Sequence, residues 1–243
     1  MVRIGIIGAA GRMGRAIAVL LDESGEAALA GGADQGDDVA ALARVADVLV
    51  DFSAPAALAA NLDAAAAARV PIVVGTTGLG PDEERLIDAA SARVAVLQSA
   101  NMSLGVNLLA FLVEEAAARL GPDWDVEIVE MHHRMKVDAP SGTALLLGRA
   151  AAAGRGVALD EISERGRDGI TGARVPGRIG FASLRGGSVA GDHQVVLAGE
   201  GERLELGHRA ESRDIFARGA VRAAIWLERR PPGRYTMADV LGL

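Results

Sequence analysis

The sequence contains no cysteine, and only 3% of its 243 residues are aromatic. The absence of cysteine excludes disulfides, thiol nucleophiles and cysteine-based metal sites. So few aromatic side chains do not form the stacking platforms that bind single-stranded nucleic acid. The formal net charge of −7 also argues against general nucleic-acid binding. A small acidic substrate stays compatible with this charge, because the local field at a site need not follow the net charge.

The sequence also lacks an apolar run of membrane-spanning length. It opens directly into the apolar segment Val2–Ile7 without a charged leader, and we therefore expect a cytoplasmic protein. Half of the residues are hydrophobic, which is enough to build an aliphatic core in one large domain or in two modest ones.

A glycine-rich turn follows this first apolar segment, which itself predicts a strand buried on both faces. Gly8, Gly11 and Gly14 have the spacing G-x-x-G-x-x-G, and apolar residues recur at helical spacing beyond them. Strand, glycine turn and helix together favour a dinucleotide site, where the glycines allow a tight turn and a close approach of pyrophosphate. A tight turn without a ligand is the alternative. Asp34 weakens that alternative, because an acid twenty residues beyond Gly14 is placed to hydrogen-bond the ribose.

Strand and helix patterns alternate through the rest of the first half. Strands are predicted at 46–52, 71–74 and 94–97, and helices at 56–68 and 81–92. This alternation predicts a Rossmann-type, doubly wound parallel sheet. Ligands of such sheets bind beyond the carboxyl ends of the strands, so the polar strand ends at 75–77 and 99–102 are candidate cofactor contacts. Ordinary polar turn chemistry is the alternative explanation for each of them.

The alternating rhythm is lost after residue 103, which predicts a second domain. A helix is predicted over 104–120, a loop over 154–177, and strands at 125–131, 178–184, 194–198 and 203–208. Gly199–Glu202 is typical of a hairpin, so this part favours a mixed α+β sheet with antiparallel pairs. Helical spacing returns after Ser212. We therefore predict a dinucleotide-binding domain of residues 1–103 plus 213–243, and a substrate-binding domain of residues 104–212.

Residues 130–144 bring imidazole, ammonium and anion-binding groups together. His132 and His133 are adjacent, Lys136 follows, and Pro-Ser-Gly-Thr at 140–143 predicts a capped helix start. Backbone N–H groups at a helix start bind anions, so the stretch suits a small carboxylate substrate. A chance pair of surface histidines and plain capping are the alternative. Together with a dinucleotide fold, however, the stretch favours an oxidoreductase.

Taken together, these segments resemble the 4-hydroxy-tetrahydrodipicolinate reductase (dihydrodipicolinate reductase) family. The resemblance covers nearly the whole chain, and the glycine motif by itself is its weakest part. Its most specific part is His132-His-Arg-Met-Lys-Val-Asp-Ala-Pro-Ser-Gly-Thr-Ala144. The other matching segments are 8–14, 51–53, 75–78, 100–101, 174–181 and 216–226.

The resemblance implies an NAD(P)H-dependent reductase that acts on a cyclic imine dicarboxylate in the diaminopimelate–lysine pathway. It implies a homotetramer assembled through the second domain. We expect no metal site. His132 is implied as a proton donor or acceptor, and Lys136 as a proton donor. His133, Gly142 and Thr143 are implied to bind the substrate. The implied cofactor contacts are Gly8, Ala9, Ala10, Gly11, Arg12, Met13, Asp34, Gly75, Thr76, Thr77, Ser99, Ala100, Asn101 and Met102.

The sequence departs from the family pattern in two places. Met135 stands where many members carry a polar residue, which affects no implied catalytic role. Gln35 follows Asp34, where members that accept NADPH well often carry a basic residue. We therefore expect NADH to be preferred and NADPH to be usable.

Two other functions are open at this point. A non-enzymatic NAD(H)-sensing or scaffold protein explains the glycine motif, but it gives no reason for the residues at 132–143. A dehydrogenase of another small dicarboxylate or amino acid explains both.

Overall fold

The computed structural model describes residues 1–243, which form two compact units. Unit 1 comprises Met1–Leu104 and Asp214–Leu243, and unit 2 comprises Gly105–Arg213. Each boundary lies one residue after the predicted one. None of the helices combines the length and the apolar character that a bilayer crossing requires.

Unit 1 is built on a six-stranded sheet. Its strands are β1 (Val2–Ile7), β2 (Ala27–Ala33), β3 (Val48–Asp51), β4 (Ile72–Val74), β5 (Ala95–Gln98) and β11 (Gly233–Tyr235). They are ordered β11-β5-β4-β3-β1-β2, and every pair is parallel. The predicted Rossmann-type sheet is therefore confirmed. The chain leaves β1 toward β2 on one side and reaches β3 on the other, which creates the topological switch point where such sheets bind ligands.

Helices cover both faces of this sheet. They are α1 (Arg12–Asp22), α2 (Val39–Val45), α3 (Leu58–Ala68), α4 (Pro81–Ser91), α8 (Asp214–Leu227) and α9 (Met237–Leu241), with a 3₁₀ turn at Pro55–Ala57. One apolar cluster packs α1 and α8 against the sheet, and a second packs α2, α3 and α4 against the opposite face. Gly219 of α8 approaches the backbone of Met102 so closely that no side chain fits between them. This contact joins the last part of the chain to unit 1.

Unit 2 contains a five-stranded mixed sheet. Its strands are β6 (Asp125–His132), β7 (Ser163–Glu164), β8 (Ile179–Arg185), β9 (Asp192–Ala198) and β10 (Arg203–Arg209), and its helices are α5 (Leu104–Leu120, starting at the unit boundary), α6 (Gly142–Gly154) and α7 (Leu159–Ile162). The strand order is β10-β9-β6-β8-β7. β9 is antiparallel to β6 and β10, whereas β8 is parallel to β6 and β7. The predicted mixed sheet and its hairpin are confirmed.

The predicted loop over 154–177 is wrong in part, because α7 and β7 lie within it. Arg174 also ties the following segment to β6. Its guanidinium donates to the side chains of Glu127 and Asp125 at 2.8 and 2.5 Å. The loop was predicted from the glycine- and arginine-rich composition of this segment. Composition reveals neither these ion pairs nor the strand pairing.

Strand β6 positions the candidate site through its alternation. Val126, Ile128, Glu130 and His132 are all buried, whereas the residues between them are only partly buried. The first two belong to the core of unit 2, together with side chains of α6. Since side chains on one face of a strand point the same way, Glu130 and His132 also face inward.

Candidate active site

Glu130 and His132 form a buried hydrogen-bonded pair at the end of β6. His132 Nδ1 lies 2.6 Å from Glu130 Oε2, and His132 and Glu130 are 8% and 1% exposed. Arg185 donates to both carboxylate oxygens at 2.9 Å. The backbone N–H of Ser141 donates to Oε1 at 3.2 Å. One carboxylate therefore contacts β8, the end of β6 and the start of α6.

The Glu130 carboxylate stays ionised in this environment. Burial raises the pKa of the Glu130 carboxyl, but hydrogen bonds from Arg185, Ser183 and His132 outweigh it and lower the pKa to about 2. A bidentate arginine pair is the strongest of these interactions, because both partners are charged and the geometry is fixed. His132 therefore faces a permanent anion through Nδ1.

His193 was not predicted from the sequence, and it completes the buried cluster. It lies on β9 opposite Glu130, with Nε2 3.1 Å from Ser141 Oγ. Its ring meets that of His132 edge-on, at 5.1 Å between centroids. Burial, and next the repulsion that a protonated His132 exerts, lower the pKa of His193 to about 4. His193 is therefore a neutral imidazole near pH 7, and its position beside His132 arises only from strand pairing.

Lys136 lies in the turn between β6 and α6. Its backbone N–H donates to His133 O at 3.1 Å, and its Nζ lies 2.8 Å from Asp138 Oδ1. The hydrogen bond from Lys136 lowers the pKa of the Asp138 carboxyl. Arg185 donates to the backbone carbonyl of Asp138 at 2.6 Å. The turn that carries Lys136 is thus joined to the same arginine that binds Glu130.

His133 lines an open cavity together with Arg213, which was also not predicted. Arg213 Nη2 donates to His133 Nε2 at 2.8 Å. Desolvation, followed by the positive charge of Arg213, lowers the pKa of His133, which favours a neutral imidazole. The cavity has a volume of about 590 Å³ and offers cationic and imidazole groups to an anion. Its other lining residues are Arg134, Met135, Gly187, Ser188 and Ala190.

The start of α6 has the features of an anion-binding helix terminus. Ser141 is the N-cap, and its side chain accepts from Ala144 N–H at 3.1 Å. Gly142 occupies the first helical position, is exposed, and has open space around the position of a Cβ atom. Thr143 follows, and no acidic residue lies in the first turn. The positive end of the helix dipole is therefore available to a carboxylate.

The glycine turn of unit 1 fits a dinucleotide at the switch point. Gly8 has a φ of +82°, and a Cβ atom there would lie 2.7 Å from Phe52 O at the end of β3. Gly14 lies directly against the backbone of Gly8. Gly11 is the N-cap of α1, which has no side-chain cap and no acid in its first turn. The backbone N–H groups of α1 are thus open to a pyrophosphate.

Asp34 lies at the carboxyl end of β2, beside this turn. Its two carboxylate oxygens accept from Ala10 N–H at 3.1 and 3.0 Å. Its own N–H donates to Asp37 Oδ2 at 2.8 Å, which fixes the backbone. Arg12 is exposed at the first position of α1. The acid and the glycine turn are therefore adjacent, which is the arrangement that ribose recognition requires.

The two remaining candidate cofactor loops, 75–77 and 99–102, each combine buried and accessible residues. Thr76 is 5% exposed, with Oγ1 3.4 Å from Asp51 O, and Met102 is 2% exposed in the core. Their side chains are therefore not available to a ligand. Ser99 Oγ donates to Asn101 O at 2.8 Å, which shapes the second loop. Gly75 is buried against the Phe52 ring, whereas the members with some exposure are Thr77, Ser99, Ala100 and Asn101.

Comparisons with known proteins match both units to one family. The family described as dihydrodipicolinate reductase, N-terminus, matches residues 2–102, and its C-terminus matches residues 105–241. A protein of Zymomonas mobilis subsp. mobilis named 4-hydroxy-tetrahydrodipicolinate reductase is 59% identical over 249 residues, covering 100% of this chain and 98% of that protein. A protein of the same name from Parvibaculum lavamentivorans is 54% identical over 266 residues, with the same coverage.

Solved structures share the fold. A dipicolinate-bound dihydrodipicolinate reductase from Paenisporosarcina sp. TG-14 superposes with a TM-score of 0.80 at 24% identity, covering 98% of each chain. A probable dehydrogenase from Thermotoga maritima gives a TM-score of 0.63 at 14% identity, covering 98% of this chain and 92% of that chain.

Proposed function

We infer that this chain, which belongs to the dihydrodipicolinate reductase family, reduces 4-hydroxy-tetrahydrodipicolinate to tetrahydrodipicolinate with loss of water. It is an NAD(P)H-dependent oxidoreductase of the diaminopimelate–lysine pathway. Bound NAD(P)H supplies the hydride. The open glycine turn and the adjacent acid support its binding in unit 1. The chain's own side chains then bind the dicarboxylate and handle the proton.

The observation that carries the proposed catalytic roles is the identity of residue 136. Lys136 is the only lysine in the chain, and the rest of the 25 lysine and arginine residues are all arginine. Arginine binds carboxylates well but does not release a proton, whereas an ammonium can do both. A lysine at this one position therefore supports proton donation by Lys136. His132 is the second proton donor or acceptor, because an imidazole ring can both give and accept a proton.

The substrate carboxylates are bound by three groups in this proposal. Gly142 and Thr143 contribute their backbone N–H groups at the start of α6. His133 contributes a ring held by Arg213. Lys136 already contacts a carboxylate, that of the half-exposed Asp138, and a substrate carboxylate takes a similar place beside its ammonium.

The decisive test measures NADH oxidation with freshly generated 4-hydroxy-tetrahydrodipicolinate. A reductase of this family oxidises NADH only when that substrate is present. A sensing or scaffold protein binds NADH without oxidising it. A dehydrogenase of another substrate class shows no turnover with 4-hydroxy-tetrahydrodipicolinate. It turns over with a different small dicarboxylate or amino acid.

Asp34 is expected to make NADH the preferred cofactor. Its carboxylate lies beside the glycine turn, where the 2′-phosphate of NADPH would meet a like charge. Replacing it in Asp34→Ser removes the repulsion and keeps a hydroxyl for the ribose. We expect the ratio of kcat/KM for NADH over NADPH to fall about tenfold or more, which corresponds to about 1.4 kcal/mol.

Steady-state kinetics with both cofactors measures this ratio. Asp38→Ser is the matched control, because it removes a nearby charge while a serine still caps α2, where Asp38 accepts from Ala41 N–H. The control is expected to keep the wild-type ratio. A wild-type enzyme that strongly favours NADPH would contradict the role given to Asp34.

The expected homotetramer is assigned to the outer face of the unit 2 sheet. Met131 pairs with Leu184 and Val129 with Ala182, so these side chains share the face opposite the core. Leu184 is 51% exposed on this face. These side chains form an apolar patch within a face that also carries polar and charged residues, among them Glu127 and Gln194, and a patch of this kind supports a subunit interface. A cytoplasmic location also stays a prediction.

Leu184→Arg is expected to dissociate the tetramer, because it places a charge in the apolar interface. Light scattering coupled to size exclusion measures the mass of the assembly. Leu86→Arg is the control, since Leu86 is similarly exposed, at 40%, but lies in unit 1. A tetramer that survives Leu184→Arg would place the interface elsewhere.

A further inference from the structure

Glu130 is the buried group that connects the parts of the candidate site. It accepts from the His132 ring, from both terminal nitrogens of Arg185 and from Ser141 N–H. With these hydrogen bonds made, its two oxygens have no capacity left for a substrate. Its effect on the reaction must therefore pass through the groups that it holds.

We propose that Glu130 is a positioning residue that holds neutral His132 as the Nδ1–H tautomer, so that His132 exchanges its proton only through Nε2. The proposal rests on the catalytic role given to His132. A carboxylate accepts but does not donate, so a hydrogen bond at 2.6 Å places a proton on Nδ1. The second ring nitrogen then carries the lone pair and becomes the reactive atom.

The surroundings of Nε2 support this assignment. Nε2 makes no hydrogen bond within the protein. It is not a buried atom, so it is accessible to a substrate. A Cβ atom at Gly191 would lie only 3.0 Å from it, so a glycine at this position leaves space beside the reactive nitrogen. His193 meets the ring from the side and is neutral, so it adds no positive charge to His132.

Arg185 keeps this carboxylate in place and in its charged form. The guanidinium of Arg185 donates to both carboxylate oxygens of Glu130. It also donates to Asp138 O, in the turn that carries Lys136. The orientation of His132 and the position of the Lys136 turn therefore depend on the same ion pair. The pKa of about 2 for Glu130 means that no working pH removes the charge.

A purely structural ion pair is the competing explanation, and the same strand provides a comparison for it. Glu127 lies three residues earlier on β6 and binds two arginines, Arg167 and Arg174, at 2.8 Å. Its pKa is lowered, with burial opposing the effect of those two arginines. It contacts no histidine. Glu127→Gln therefore reports what the loss of a carboxylate–arginine pair on β6 does by itself.

The first test needs no substitution at Glu130. Imidazole ¹⁵N shifts of the full-length protein at neutral pH report the tautomer of each ring, and the chain has only four histidines. His132→Asn assigns the His132 signals by their disappearance. We expect His132 to be the Nδ1–H tautomer. A neutral His132 that is mainly Nε2–H would overturn the proposal.

The second test compares Glu130→Gln with Glu127→Gln. The amide nitrogen that Glu130→Gln introduces is a donor, which favours the opposite tautomer of His132. By analogy with the loss of a histidine-orienting carboxylate in hydrolases, we expect kcat to fall about 10²- to 10⁴-fold. NADH affinity should stay unchanged, and the His132 shifts should move. Glu127→Gln should keep wild-type kcat and tautomer, and a folded Glu130→Gln with wild-type kcat would overturn the proposal.

The double variant separates this inference from the proposed function. Because Glu130 acts through His132, Glu130→Gln should cost far less activity in a His132→Ala background than in the wild type. If His132→Ala keeps full turnover, the catalytic role of His132 fails. If His132→Ala is inactive but Glu130→Gln is fully active, only the role of Glu130 fails.

Discussion

Lys136→Ala and Lys136→Arg are both expected to lose kcat by about 10²- to 10⁴-fold, the usual contribution of a positioned general acid. Alanine removes both the charge and the proton. Arginine keeps the charge and even improves carboxylate binding, but it does not release a proton at working pH. The arginine variant should therefore keep a KM close to the wild type while its kcat falls with that of the alanine variant.

Single-turnover and steady-state kinetics measure these constants, and fluorescence titration measures NADH affinity, which should not change. An arginine variant with near-normal turnover would show that Lys136 only binds the substrate. Chemical modification gives an independent test, because the chain has no other lysine. Acetylation of the folded enzyme should abolish activity in proportion to the mass increase at Lys136, and bound substrate should protect it.

Gly142→Val is expected to raise the substrate KM about 10- to 100-fold, equivalent to the loss of a hydrogen bond to a charged group. Nothing lies within 4 Å of the position that a Cβ atom would occupy, so the variant should fold normally. In the proposed binding mode, the added side chain stands where the substrate carboxylate approaches the helix start. Gly142→Ala should cause a smaller increase.

Initial rates at varied substrate concentration measure the effect, with NADH affinity and thermal stability followed in parallel. Gly25→Val in unit 1 is the matched control, since its Cβ position is also open and its φ is not in the left-handed region. The control should leave KM unchanged. A wild-type KM in Gly142→Val would mean that the start of α6 serves ordinary capping alone.

The sequence by itself predicted most elements of unit 1, because the signals there are local. The buried strand Val2–Ile7 begins and ends where its apolar run does. The helix at Pro81–Ser91 begins with a proline and three acids, which suit the first turn of any helix. Helix Val39–Val45 was missed, because seven residues give too little periodicity. Its N-cap is Asp38, whose side chain accepts from Ala41 N–H.

The candidate substrate site was predicted only as far as it is contiguous. His132, His133, Lys136, Gly142 and Thr143 lie within twelve residues, so one short segment of sequence was enough to single them out. The partners that give these groups their chemistry lie far along the chain. Arginines are numerous in this sequence, so no local signal distinguishes the two that reach the site.

Tertiary structure alone decided those partners. Parallel pairing of β6 with β8 brings Arg185 opposite His132 and onto the Glu130 carboxylate. Antiparallel pairing of β6 with β9 brings His193 opposite Glu130. Strand register is set by the burial of a whole face, so it cannot be derived from any one strand. The sequence thus determined which groups are available for chemistry, and the sheet determined their charge state, orientation and contacts.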